Sequence, residues 1–260
     1  QVLRNPLATA VVFEEEAISY RELDESSSHL ANYLISKGLQ PGENIGLFSH
    51  RSKEMIIALF GILKAGCVYV PFNTDYPEER LKYIIEDSGI THVLYTDKLS
   101  RLSGLTDCQN IYLQDSLSSS GLAQTISIDI NSPAYSMYTS GTTGSPKGIV
   151  VTQRNIIKLV YDTGQIAVTD QDRVLQWSNY SFDGSVYDIY SSLLKGASLH
   201  LIKDSWASDV YQLSRVIKEQ KITVCFITTA LCNSFIDTDP GVLKNLRKIL
   251  FGGEKDSAYN

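Results

Sequence analysis

Downstream of Ser19 the apolar residues fall at helical spacing. Leu23, Leu30 and Leu34 lie on one stripe, Ser19 and Glu22 stand ahead of them as a capping box, and Gly38 stands where a C-terminal cap belongs. This spacing predicts an amphipathic helix over residues 20–37, after which Pro41-Gly42 turns the chain. Short runs of β-branched and aromatic residues then alternate with helical stripes. A strand is expected over 44–49 and a helix over 53–64 with Ile56, Leu59, Phe60 and Leu63 inward. A strand over 67–72 follows, then a helix opened by Pro77 and running to about Asp87, with Leu81, Ile84 and Ile85 on one face. Thr91 to Tyr95 completes the βαβ alternation as a strand.

Residues 97–125 are polar and include Ser118-Ser-Ser-Gly121, so they read as an irregular surface connection between two lobes. The internal boundary is placed near residue 131, giving a first α/β lobe over 1–131 and a second over 132–260. The second part resumes with two apolar runs, Ala134 to Tyr138 and Ile149 to Val151, and a helix over 153–161. Strands over 174–177, 197–202, 222–227 and 248–251 alternate with helices over 185–194 and 209–219. The fold class is therefore α/β, two lobes of mostly parallel sheets covered by helices, with ligand groups at the carboxyl ends of strands. No internal repeat is present.

At 260 residues the chain is long enough for one large domain or two modest ones. Its 29 acidic against 23 basic residues give a net charge of −6, which argues against nucleic acid or an anionic membrane as partner. Cys67, Cys108, Cys225 and Cys232 form no CxxC pair and the four histidines are scattered, so neither a zinc site nor a disulfide framework is expected. The sequence has neither a bilayer-length apolar run nor the plan of a signal peptide, and a cytoplasmic setting is expected.

Between the two apolar runs stands Tyr138-Thr-Ser-Gly-Thr-Thr-Gly-Ser-Pro-Lys147, closed by Gly148. Glycines let backbone N–H groups turn inward as an anion nest, while hydroxyls and one ammonium add donors, so the composition suits a polyphosphate. A flexible linker is the competing reading, and placement between two strand-like runs counts against it. The segment is also not a Walker A loop. Lys147 follows Pro146, and Gly148 stands where the magnesium-binding Ser or Thr would be.

This string resembles the phosphate-binding signature of the adenylate-forming superfamily. Leu63 to Pro71, Tyr76-Pro-Glu-Glu-Arg80 and Phe182-Asp-Gly-Ser185 narrow the resemblance to the adenylation domains of nonribosomal peptide synthetases, and Ser19 to Leu23 and Phe251 to Glu254 extend it. The resemblance implies the large N-terminal domain of that fold. It also implies a two-step activation with ATP and Mg²⁺, in which a carboxylate attacks the α-phosphate and a thiol then captures the acyl adenylate. Thr139, Ser140, Gly141, Thr142, Thr143, Gly144 and Lys147 would hold the phosphates, with Lys147 and Thr143 as the catalytic candidates. Asp183 would pair with the α-ammonium of an amino acid, although an Asp at that position is commonly a helix cap. Gly184, Tyr187, Phe226, Leu250 and Gly252 would line the substrate pocket, with plain core packing the alternative for Phe226 and Leu250. Gly252, Gly253 and Glu254 would lie against adenine, though a simple turn uses the same residues.

The implied partners are an amino acid, ATP, a peptidyl carrier protein with its phosphopantetheine arm, and neighbouring synthetase domains. The family's later segments, among them its Tyr-Gly-Pro-Thr-Glu stretch and small C-terminal domain, have no counterpart before residue 260, so an incomplete piece of a longer enzyme is expected, with no metal ligand of its own. Phe72-Asn73 departs from the family's commoner apolar-Asp ending. An acyl- or aryl-CoA ligase and a non-catalytic docking module are the alternatives.

Overall fold

The computed structural model describes residues 1–97, 107–117, 126–139, 146–162 and 167–252. Two compact units result: Gln1–Tyr20 together with Leu159–Asn260, and Arg21–Lys158. In chain order the elements are β1 (Thr9–Phe13), β2 (Glu16–Ser19), α1 (Tyr20–Ser36), β3 (Asn44–Phe48), α2 (Lys53–Lys64), β4 (Val68–Phe72), α3 (Glu78–Ser88) and β5 (His92–Tyr95). There follow β6 (Gln109–Tyr112), α4 (Leu113–Leu117), β7 (Pro133–Thr139), β8 (Lys147–Thr152), α5 (Gln153–Tyr161), β9 (Arg173–Gln176), α6 (Gly184–Leu193) and β10 (Ser198–Leu201). The series closes with α7 (Val210–Glu219), β11 (Val224–Thr228), α8 (Thr229–Thr238) and β12 (Lys248–Gly252).

The unit Arg21–Lys158 holds a sheet of order β6-β5-β3-β4-β7-β8, parallel except for the antiparallel β7–β8 pair. Leu81, Ile84 and Ile85 of α3 bury against Phe48, Phe72, Val93, Tyr95 and Tyr138, which present one face of that sheet. α2 packs on β3 and β4 and buries Ile56, Leu59 and Leu63 as its spacing predicts, but Phe60 is only partly buried. Its start is capped by Ser52, whose hydroxyl accepts from the Met55 N–H at 3.1 Å.

The other unit holds a sheet of order β12-β11-β9-β10-β1-β2, parallel except for the β1–β2 hairpin. Alternate residues of its strands serve opposite faces, as the two-residue period of a strand requires. Leu175, Cys225 and Ile227 pack under α7 and α8, against Leu213, Ile217, Leu231 and Phe235. Val174, Val224 and Phe226 face the other way, toward Tyr187 of α6.

The α/β class with mostly parallel, helix-covered sheets stands, but the expected division does not. The units do not part at residue 131. Tyr135 pairs with Tyr69 of β4 and their rings stack at 5.3 Å, which carries β7 and β8 into the sheet of the earlier segment. Conversely β1 pairs in parallel with β10, Val11 opposite Leu199, and the first twenty residues join the later segment. The stretch 97–125 is also not wholly irregular, since β6 adds to β5 with Ile111 buried and α4 follows it. The hairpin β1–β2 and helix α8 are further elements beyond those the spacing predicts.

The amino ends of three strands are tied by one buried carboxylate. Asp172, 3% exposed, accepts from the Thr169 N–H at 2.8 Å, from Thr223 Oγ1 at 2.7 Å and from Arg247 Nε at 2.8 Å. Burial alone raises the Asp172 carboxyl, but the Arg247, Thr169 and Thr223 hydrogen bonds outweigh it and hold it below the ordinary carboxylate value.

Candidate functional site

In the unit Arg21–Lys158, β7 ends at Thr139 and β8 begins at Lys147, and these two residues are cross-strand partners, followed inward by Tyr138 opposite Gly148. Both Thr139 and Lys147 are exposed. One hydroxyl and one ammonium therefore stand side by side where the hairpin opens, a donor set that matches phosphate oxygens. Ser140, Gly141, Thr142, Thr143 and Gly144, the remaining expected phosphate ligands, lie outside the described residues.

In the other unit the expected pocket residues come together around the start of α6. Asp183 occupies the N-cap position with φ −61° and ψ −27°, yet its side chain caps none of the helix N–H groups, and it is exposed. The turn before it is held instead by Asn179, whose Oδ1 accepts from the Ser181 N–H at 3.0 Å and the Ser181 hydroxyl at 2.9 Å. Ser185 Oγ donates to the Phe182 carbonyl at 2.7 Å. The loop is thus fixed without Asp183, whose carboxylate is left for other use.

One helical turn on, Tyr187 is buried, and its ring meets Phe226 with centroids 6.5 Å apart at 58°. Phe226 pairs across the parallel strands with Leu250, and both pack with Tyr187 against Val174 and Val224. Burial pushes the Tyr187 phenol up to about 12, with Asp188 adding to the shift, so the hydroxyl stays a neutral hydrogen-bonding group. Gly184 stands against this wall: a Cβ there would lie 2.8 Å from Ser178 Oγ and 3.0 Å from Phe226 Cε1. Gly252, opposite Thr228 at the carboxyl end of β12, shares a strand face with Leu250 and has open space where a side chain would project. Gly253 and Glu254 lie outside the described residues.

Two residues of this wall carried no signal in the sequence. Ser178 reaches Gly184 only because the loop folds back. Gln176, fully buried at the carboxyl end of β9, donates from Nε2 to the Ser178 carbonyl, while its Oε1 has no hydrogen-bond partner. A lone Gln or Ser in a strand-like run matches no motif.

A model of the AMP-binding enzyme family matches residues 1–258. The chain belongs to the AMP-binding enzyme family. Over 262 residues it is 41% identical to bacitracin synthase 1 of Bacillus licheniformis, covering 99% of this chain and 5% of that protein. The Klebsiella oxytoca NpsA N-terminal subdomain, solved in complex with 3-hydroxyanthranilyl-AMSN, superposes with a TM-score of 0.90 at 25% identity, covering 98% of this chain and 65% of that one. NpsA-ThdA, an artificially fused adenylation-PCP di-domain from the same organism, superposes with a TM-score of 0.88 at 25% identity, over 97% of this chain and 51% of that one. The chain therefore spans a small fraction of the curated synthetase it resembles. No helix among the described residues is long and apolar enough to cross a membrane.

Proposed function

We propose that this member of the AMP-binding enzyme family contributes the acid-binding pocket and the phosphate hairpin of an amino-acid adenylating enzyme. The carboxylate oxygen of the amino acid attacks the α-phosphorus of ATP, the bond to the bridging oxygen breaks, and pyrophosphate leaves. The aminoacyl adenylate is then attacked at its carbonyl by the phosphopantetheine thiol of a carrier protein, releasing AMP. The sequence likeness to bacitracin synthase 1 and the fold shared with an adenylation-PCP di-domain support the carrier as partner.

Bringing two anions together needs charge compensation, which is what donors aimed at phosphate oxygens supply. Thr139 and Lys147 present such donors at the mouth of the β7–β8 hairpin, and we assign Ser140 to Gly144 to the same task. Gly252, Gly253 and Glu254 are assigned to adenine. ATP supplies the adenylyl group. Among the described residues no cluster of three or more His, Cys, Asp or Glu side chains is placed to hold a metal. Mg²⁺ is proposed as the companion of the nucleotide phosphates.

The observation that carries this reading is Asp183. An aspartate at a helix start that makes no cap, next to Gly184, which abuts Phe226 of the Tyr187–Phe226–Leu250 cluster, is a carboxylate for a cationic ligand group, and an amino acid carries one. A second reading has its own support, because NpsA is solved with 3-hydroxybenzoyl-AMSN, whose acyl group has no amino function. The deciding experiment is pyrophosphate exchange into ATP by the natural polypeptide carrying this chain, across amino acids and aryl acids. Stimulation by an amino acid, lost in Asp183→Ala, supports the first reading. Stimulation by aryl acids alone replaces it with the second, and exchange with neither acid together with no ATP binding favours a docking module.

A further inference from the structure

We propose that Tyr138 and Asp87 form a positioning pair for the nucleotide phosphates, fixing the register of the β7–β8 hairpin and with it the place of Lys147 opposite Thr139. This rests on the reading of the hairpin given above.

β8 cannot be held in register by burial. Lys147, Gly148, Ile149 and Val150 are exposed and Val151 and Thr152 only half-buried, and a strand with so little buried specifies its pairing weakly. A slip of one residue would turn Lys147 to the opposite face of the pair. Tyr138 supplies the missing constraint in two ways. Its ring lies over the backbone of β8 at its cross-strand partner, since a Cβ on Gly148 would be 3.0 Å from Tyr138 Cζ and 3.1 Å from Ser136 Oγ. Either neighbour, Lys147 or Ile149, would bring a side chain under the ring if the strand slipped. The register that puts Gly148 there avoids that crowding.

The ring itself is held from outside the hairpin. Tyr138 Oη donates to Asp87 Oδ2 at 2.6 Å, a charge-assisted bond to the last turn of α3. The ring belongs to the buried cluster that includes Phe72, Tyr76, Leu81 and Ile84. Burial first, and the Asp87 carboxylate next, push the Tyr138 phenol well above its ordinary value, so it remains a donor at any working pH. The chain of control runs from α3 through a hydrogen bond to an aromatic ring, and from the ring to the residue beside Lys147.

The test is pyrophosphate exchange by the natural polypeptide, with KM for ATP and for the activated acid measured separately. Tyr138→Phe keeps the ring over Gly148 and removes the bond to Asp87; KM for ATP is expected to rise roughly tenfold, the worth of a hydrogen bond to a charged group, while KM for the acid holds. Asp87→Ala should match it, and the double variant should be no worse than either single change. Asp87→Asn keeps an acceptor for the phenol and should restore most of the ATP affinity. Equal shifts in both KM values, or a lowered thermal midpoint with neither KM moved, overturns the proposal and leaves the pair a structural one. If the unaltered polypeptide exchanges well but Tyr138→Phe has the same KM for ATP, the pair's role alone falls. If the unaltered polypeptide activates no acid, the underlying reading falls and takes this role with it.

Discussion

Two aspartates at the starts of two helices in one unit differ in their local bonding. Asp209 accepts from the Tyr211 N–H at 3.0 Å and the Gln212 N–H at 3.1 Å at the start of α7, whereas Asp183 at the start of α6 caps nothing. Asp209→Ala is therefore expected to cost about 1 kcal/mol of stability, the usual worth of a cap. Asp183→Ala should leave the denaturation midpoint in place and lower amino-acid-dependent exchange roughly tenfold to a hundredfold. A fall in stability from Asp183→Ala comparable to that from Asp209→Ala would make it a cap after all. Its neighbour has a different task. Gly184 leaves the Phe226 ring its place, and Gly184→Val, branched against that ring and Ser178, should shift the preferred acid toward a smaller side chain. An unchanged preference across a panel of acids would remove Gly184 from the pocket wall.

Among the elements, those with a local signature were legible from the sequence. α2 and α5 fall on their expected ranges, and α1, α3, α6 and α7 are displaced by a residue at most, because each carries a stripe of apolar residues bounded by a cap, Pro or Gly. β6 has no local signature, because Ile111 is its one buried residue and no alternation marks it. α8 carries no clean apolar stripe, because its buried residues, Thr229, Leu231, Cys232 and Phe235, mix polar with apolar side chains. Inside β10 the sequence hid another feature: His200, 5% exposed, is held between Ser198 Oγ at 2.9 Å and Gln220 Oε1 at 2.7 Å, joining the strand to the end of α7. Burial lowers its pKa, and the nearby Arg173 lowers it further against the opposing Gln220 hydrogen bond. The fold thus favours neutral His200, while the unfolded chain takes a proton near pH 6.5. The stability this contributes is present above that pH and is lost as pH falls below it, with a slope of up to about 1.4 kcal/mol per pH unit. Denaturant midpoints between pH 8 and 5 should fall with acid, and His200→Asn should flatten the fall; an equal slope in the variant would refute the assignment.

For the molecule as a whole, what the sequence hid is non-local. The motif text pointed to Tyr187, Phe226 and Leu250 as pocket residues, and the structure packs the three together in one hydrophobic cluster, which plain core packing would also give. The misplaced boundary at 131 has the opposite cause: no local property of Thr9–Phe13 shows that it will pair with β10, with residues 21–158 intervening. That closure depends on a few interactions of very long range. Ala10 and Val11 are buried on β1, and Tyr20, the first residue of α1, donates from Oη to the Ala197 carbonyl at 2.6 Å and reaches the Leu193 carbonyl at 3.3 Å. These carbonyls lie where α6 gives way to β10, so Tyr20 clamps the first segment to the helix that carries Asp183 and Gly184. Removing the hydroxyl leaves buried acceptors short of a donor, which costs about 1–3 kcal/mol. Tyr20→Phe is therefore expected to lower the stability of the unit Gln1–Tyr20 with Leu159–Asn260 by that amount. Hydrogen exchange should quicken in β1 and β10 while β3 and β4 keep their protection. Exchange that quickens equally in both sheets would show that the hydroxyl does not act as a local clamp.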